Sequence, residues 1–126
     1  MRSRSHLLRF FTLLVDKNGT GHFWGQRLSA IALMFLGLWF AFSMTTMPGF
    51  DHADAIAFIA APVNSVLLLL LSVTLAYHSH LGVEVIIDDY VHGRRIKSMA
   101  LNFSLIAHLM LTVVAVFAIL KTGSGV

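Results

Sequence analysis

Two groups of residues in this chain could do chemistry inside or beside a membrane. The first is His78, which lies in an uncharged, apolar run. A neutral imidazole in such a place can ligate haem iron through one nitrogen while a hydrogen bond fixes the other. The second is Asp89-Tyr90, which follows His78 after ten intervening residues. A phenol can donate a hydrogen bond to a quinone carbonyl, and a carboxylate can orient a base or relay protons. If the stretch from Tyr77 to Tyr90 is helical, His78, Gly82, Val85 and Asp89 share one face, and imidazole and carboxylate stand about 16 Å apart along the axis. Gly82, one turn beyond His78, leaves room there for a flat macrocycle or a close helix.

Each of these residues also has a plainer reading. His78 could be a packing histidine that bonds a neighbouring helix. Asp89 and Tyr90 could be a charged helix end with an interfacial tyrosine, a common arrangement. His80 and Glu84 are i, i+4 neighbours and read as an intrahelical pair. His108 is a second midplane histidine, either a reserve ligand or a hydrogen-bonding core residue. Arg27 is either a snorkelling topology anchor or a partner for an anionic group.

The elements that must position these residues follow from composition. The chain has 126 residues, 57% hydrophobic and 12% charged, against about 45–50% and about 25% in soluble domains. Residues 28–50, 55–83 and 98–120 contain no Asp, Glu, Lys or Arg. Each is long enough to cross a hydrocarbon core about 30 Å thick. The expectation is an all-α membrane protein, one domain over residues 1–126, with spans at about 28–47, 55–87 and 98–120. Pro62 is to sit in the first turn of span two or to kink it, and Gly37 is a place where a neighbouring helix could come close. Residues 1–27 read as an interfacial, amphipathic segment, closed by the turn cluster Asn18-Gly19-Thr20-Gly21.

The chain has no cysteine, which excludes thiolate-ligated iron–sulfur or zinc sites and disulfides. Basic residues number five before span one, none in the first loop, three in the second and one in the tail. They read as topology signals, with no nucleic-acid partner expected. The N-terminus and second loop fall in the cytoplasm and the C-terminus outside, which in a bacterium is the periplasm.

His78, ten residues, then Asp89-Tyr90 on the second of three spans resembles the small hydrophobic membrane-anchor subunit of bacterial succinate dehydrogenase, respiratory complex II. The stretch His22-Phe23-Trp24-Gly25-Gln26-Arg27-Leu28-Ser29-Ala30 is similar to that family's lead into span one: a histidine, aromatics, an arginine, then small polar residues. The resemblance implies half of a heterodimeric haem-binding helix bundle in the bacterial inner membrane. His78 would be one axial ligand of a haem b iron, the other coming from the cytochrome b556 anchor subunit. Arg27 and His22 would lie near the haem propionates. Tyr90 would bind ubiquinone, with Asp89 supporting that site. The iron–sulfur subunit and the flavoprotein subunit would be held against the membrane, and the chain would have no succinate-oxidising activity alone. Asp88 doubles the acid before Tyr90, and His80 and His108 have no counterpart in the family's pattern. The rival readings are the anchor of a fumarate reductase and a small non-redox assembly or structural subunit.

Overall fold

The computed structural model describes residues 19–125, so most of the amphipathic segment expected over residues 1–27 lies outside the described residues. Four helices follow in order: α1 (Gly19–Thr46), α2 (His52–Ala60), α3 (Pro62–Tyr90) and α4 (Arg94–Ser124). Three are long and apolar enough to cross a membrane: Thr20–Thr46, Pro62–Tyr90 and Arg94–Ser124. At 1.5 Å per residue each runs about 40–46 Å, more than the hydrocarbon thickness. α3 is the central element. It packs against both α1 and α4, while the backbones of α1 and α4 do not come within 8 Å of each other, Cα to Cα, among the described residues.

The helices form an open layer with a thin core. Leu81 and Ile119 are the buried large apolar residues, and Ser29 and Ser104 are the buried polar ones. Large side chains such as Phe35, Phe42, Phe103 and Phe117 are exposed. In water such a surface would be untenable; against lipid tails it carries no penalty, because helices there associate through packing and hydrogen bonds rather than through a hydrophobic drive.

Two sequence expectations are corrected by these elements. The turn expected at Asn18-Gly19-Thr20-Gly21 is helical from Gly19 onward. Gly21, Gly25 and Ser29 are all buried, and their spacing of four places a small-residue stripe along one face of α1. Gly21 and Gly25 therefore serve helix packing and not chain reversal. A Cβ on Gly25 would collide with the Tyr77 hydroxyl of α3. The close approach is thus at Gly25, whereas nothing lies within 4 Å of a Cβ placed on Gly37.

The second correction concerns span two, which does not run unbroken from residue 55. Ala61 is extended (φ −64°, ψ 125°) and Pro62 opens α3. Proline disfavours a helical conformation in the residue before it but suits the first helical position. α2 is capped at its start by Asp51, whose Oδ1 accepts from the Asp54 N–H at 2.8 Å. Its terminal carbonyls have no continuing helix to accept from. Asn64 Nδ2 donates to Phe58 O at 3.0 Å, and the Ser65 hydroxyl donates to Ile59 O. At the far end of the chain Gly125 adopts φ +69° and stops α4 in the left-handed cap that favours glycine.

Candidate functional site

The close crossing of α1 and α3 brings Ser29 against His78. Ser29 Oγ lies 2.9 Å from His78 Nδ1 and donates to Gln26 O of its own helix at 3.1 Å. His78 Nε2 has no hydrogen-bond partner among the described residues. The ring lines a groove of about 360 Å³ with Phe23, Gln26, Arg27 and Ala30. Arg27 Cζ stands 5.2 Å from the Phe23 ring centroid, a cation–π contact that steadies the guanidinium on the groove wall. Arg27 makes no ion pair among the described residues. His78 and Arg27 thus line one space, each with no ion pair among the described residues, and nothing lies within 4 Å of a Cβ on Gly82 one turn along α3.

His22 is placed elsewhere. Its Nε2 lies 3.4 Å from Glu84 Oε2, and His80 Nε2 lies 3.4 Å from Glu84 Oε1. The i, i+4 pair expected for His80 and Glu84 is present, and sequence reasoning missed the third member from α1. Five residues on a helix rotate by about 500°, or about 140° net, so His22 and Arg27 point to different sides of α1. The pairing of His22 with Glu84 joins two helices far apart in the chain, and no local pattern signals it.

A second polar seam joins α3 to α4. His108 Nδ1–H donates to Ser104 O at 2.7 Å, which leaves Nε2 to accept from the Ser79 hydroxyl at 3.1 Å. His80 Nδ1 lies 3.3 Å from Ser104 Oγ. The His80 and His108 rings sit 5.4 Å apart, tilted by 54°. His108 is therefore a hydrogen-bonded interhelical residue, engaged through both nitrogens. Among the described residues no three His, Cys, Asp or Glu are grouped to hold a metal ion.

Tyr90 ends α3, twelve residues beyond His78, about 18 Å along the axis. Its side chain is 78% exposed, and the His92 Nδ1–H donates to its carbonyl at 3.2 Å. Of the two acids before it, Asp88 is engaged by Lys97 at 2.8 Å. Asp89 has no partner among the described residues. Phenol and free carboxylate therefore stand together at one end of the layer, outside the His78 groove.

The comparison with known proteins bears on the whole chain. The family model described as succinate dehydrogenase/fumarate reductase transmembrane subunit matches residues 1–119. The succinate dehydrogenase hydrophobic membrane anchor subunit of Rickettsia bellii is 30% identical over 104 residues, covering 80% of this chain and 83% of the relative. That of Paracoccus denitrificans is 29% identical over 107 residues, covering 85% and 82%. The succinate dehydrogenase membrane anchor subunit of Reclinomonas americana is 32% identical over 88 residues, covering 68% and 73%. No solved structure matches the chain. With three membrane-crossing helices and a match over nearly its whole length, the chain belongs to the succinate dehydrogenase/fumarate reductase transmembrane subunit family, as a multi-pass succinate dehydrogenase membrane anchor.

Proposed function

We propose that this anchor co-ligates a haem b through His78 and builds part of a ubiquinone-reduction site with Tyr90 and Asp89. The observation that carries the reading is that His78 and Arg27 line one groove, with His78 Nδ1 already engaged by Ser29. This donor set suits a haem: an imidazole nitrogen for the iron, a cation for a propionate, and Phe23 and Ala30 as apolar lining. The groove is walled by α1 and α3 alone, as befits a group shared with a second chain. That chain would be the cytochrome b556 anchor subunit, which would supply a second histidine to the group. His22 stands at the same end of α1 and would act on the propionate side through the Glu84 cluster rather than from the groove wall.

Haem b, when bound, supplies a one-electron store beside the quinone site. The remaining roles belong to this chain's residues. The Tyr90 phenol donates a hydrogen bond to a quinone carbonyl and fixes the ring. Asp89, free of Lys97, meets a cation of the partner anchor and holds the proton-bearing groups around Tyr90 in place. Reduction of the quinone takes two electrons and two protons. The electrons arise in the flavoprotein subunit and cross the iron–sulfur subunit, which would dock at the exposed end around Tyr90. The excess of Lys and Arg on this end supports a cytoplasmic position for it in a bacterial inner membrane.

The test is a difference spectrum on the chain purified in mild detergent with its bound partners. Succinate should reduce a b-type haem, and His78→Ala should remove that signal. Absence of haem, or a haem unaffected by His78→Ala, would overturn the assignment of His78.

A further inference from the structure

We infer that Ser29 is a positioning residue that sets the tautomer and donor strength of His78; this rests on the reading of His78 as a haem ligand. A serine hydroxyl carries one proton and two lone pairs. Ser29 is 6% exposed, so water does not compete for its hydroxyl. Its proton is directed to the Gln26 carbonyl, an acceptor only, at 3.1 Å. Toward His78 Nδ1, 2.9 Å away, the hydroxyl oxygen can therefore only accept. With the hydroxyl so directed, Nδ1 is assigned the proton, and in a neutral imidazole the lone pair is then on Nε2, which has no partner among the described residues.

The chain Nδ1–H to Ser29 Oγ–H to Gln26 C=O is cooperative in its polarity. Each donated bond sharpens the next acceptor, so electron density is pushed into the ring and toward Nε2. Outer partners of this kind fix ring orientation and raise ligand basicity, and their loss typically costs about 10–100-fold in metal affinity. Ligand and orienting hydroxyl come from different helices. Ser29 follows Arg27 by two residues, on the small-residue stripe that lets α1 approach α3. The groove's cation and its ligand-orienting hydroxyl are therefore delivered by one turn of α1.

The test uses the assembled complex, co-expressed with its partner subunits, and reads the haem rather than turnover. Ser29→Ala should raise the haem midpoint potential, because a weaker donor stabilises the ferric state less. It should also release haem to apomyoglobin about 10-fold faster or more. Ser29→Thr, which keeps a hydroxyl able to bond the preceding turn, should restore wild-type values. An alanine complex with wild-type potential, ferric EPR spectrum and haem release would overturn the inference. If His78→Ala keeps its haem, the ligand assignment fails and Ser29 with it; if His78→Ala loses haem while Ser29→Ala is silent, only the role of Ser29 fails. Should the alanine complex not assemble, ENDOR on the wild-type ferric haem decides. An exchangeable proton on His78 Nδ1 is expected, and its absence overturns the proposal.

Discussion

Lys97 Nζ lies 2.8 Å from Asp88 Oδ1 and ties the end of α3 to the first turn of α4 across a short connection. This separates the roles of two adjacent acids that look alike in sequence. Asp88 is held by its own chain, and Asp89 is left for another group. Asp88→Asn should lower the stability of the complex by about 0.2–1 kcal/mol, the range for an exposed pair, and leave quinone reduction near wild type. Asp89→Asn should cut succinate–quinone turnover about 10-fold or more, below the full range for a group that itself transfers the proton. Thermal unfolding in detergent and a quinone-reduction assay check the two arms. The reverse pattern would move the quinone-site acid to Asp88.

A Cβ at Gly25 would strike the Tyr77 hydroxyl and lie 3.4 Å from Leu81 Cδ1. Gly25→Ala should therefore push α1 off α3, at a cost of about 1–3 kcal/mol for overpacking. The same shift would loosen Ser29 from His78, one turn away. Adding Tyr77→Phe removes the atom that collides and should recover part of the loss, since the Tyr77 Cζ at 3.3 Å and Leu81 remain close. Thermal stability of the single and double variants, with haem content alongside, measures this.

How much of this was legible in the sequence depends on what kind of property each feature is. The three spans are a matter of composition, and their uncharged runs mark them. Pro62 signals a first turn, and it does open α3; the separate helix α2 is hidden because it is as apolar as the helix that follows it. Gly21 looks like part of a turn because glycine breaks helices in isolation. Its role in a packing stripe exists only once α3 is beside it. His78, Arg27 and Tyr90 could be picked out because charge or an imidazole stands out in an apolar chain. Ser29 stands out only as a small polar residue of the stretch before span one; its pairing with His78 is not legible, because it joins residues 49 positions apart.

His108 bonds Ser104 O and Ser79 Oγ through its two nitrogens, so it joins α3 to α4. Interhelical hydrogen bonds in membranes average about 0.6 kcal/mol and reach about 1.7 kcal/mol. His108→Leu should cost about that much in stability while haem content and spectrum stay at wild type. Loss of one haem in this variant would instead mean a second haem bound through His108.

Tyr90 and His78 lie too far apart along α3 to serve one ligand. Tyr90→Phe should lower quinone reduction by about 10-fold, since it removes one positioned donor worth roughly 1.5 kcal/mol. Its haem content should match wild type. The assay is the steady-state rate with a soluble ubiquinone, paired with a reduced-minus-oxidised spectrum. A Tyr90→Phe complex that loses haem before turnover would show that the middle of α3 and its C-terminal end form one site.

At His22 the family resemblance and the geometry differ. The resemblance puts it with Arg27 near the propionates, and the structure puts its Nε2 3.4 Å from Glu84. A double-mutant cycle separates the two. If His22 works through Glu84, His22→Ala and Glu84→Ala should couple by about 0.5 kcal/mol or more in stability. In the Glu84→Ala background, His22→Ala should then leave the haem potential unchanged. Glu84→Ala alone should be the costlier change, by about 0.2–1 kcal/mol for each part-exposed pair, because it removes the carboxylate that lies 3.4 Å from both His22 and His80. If His22→Ala shifts the haem potential equally with and without Glu84, the imidazole acts on the propionate directly and the ion pair is incidental to it.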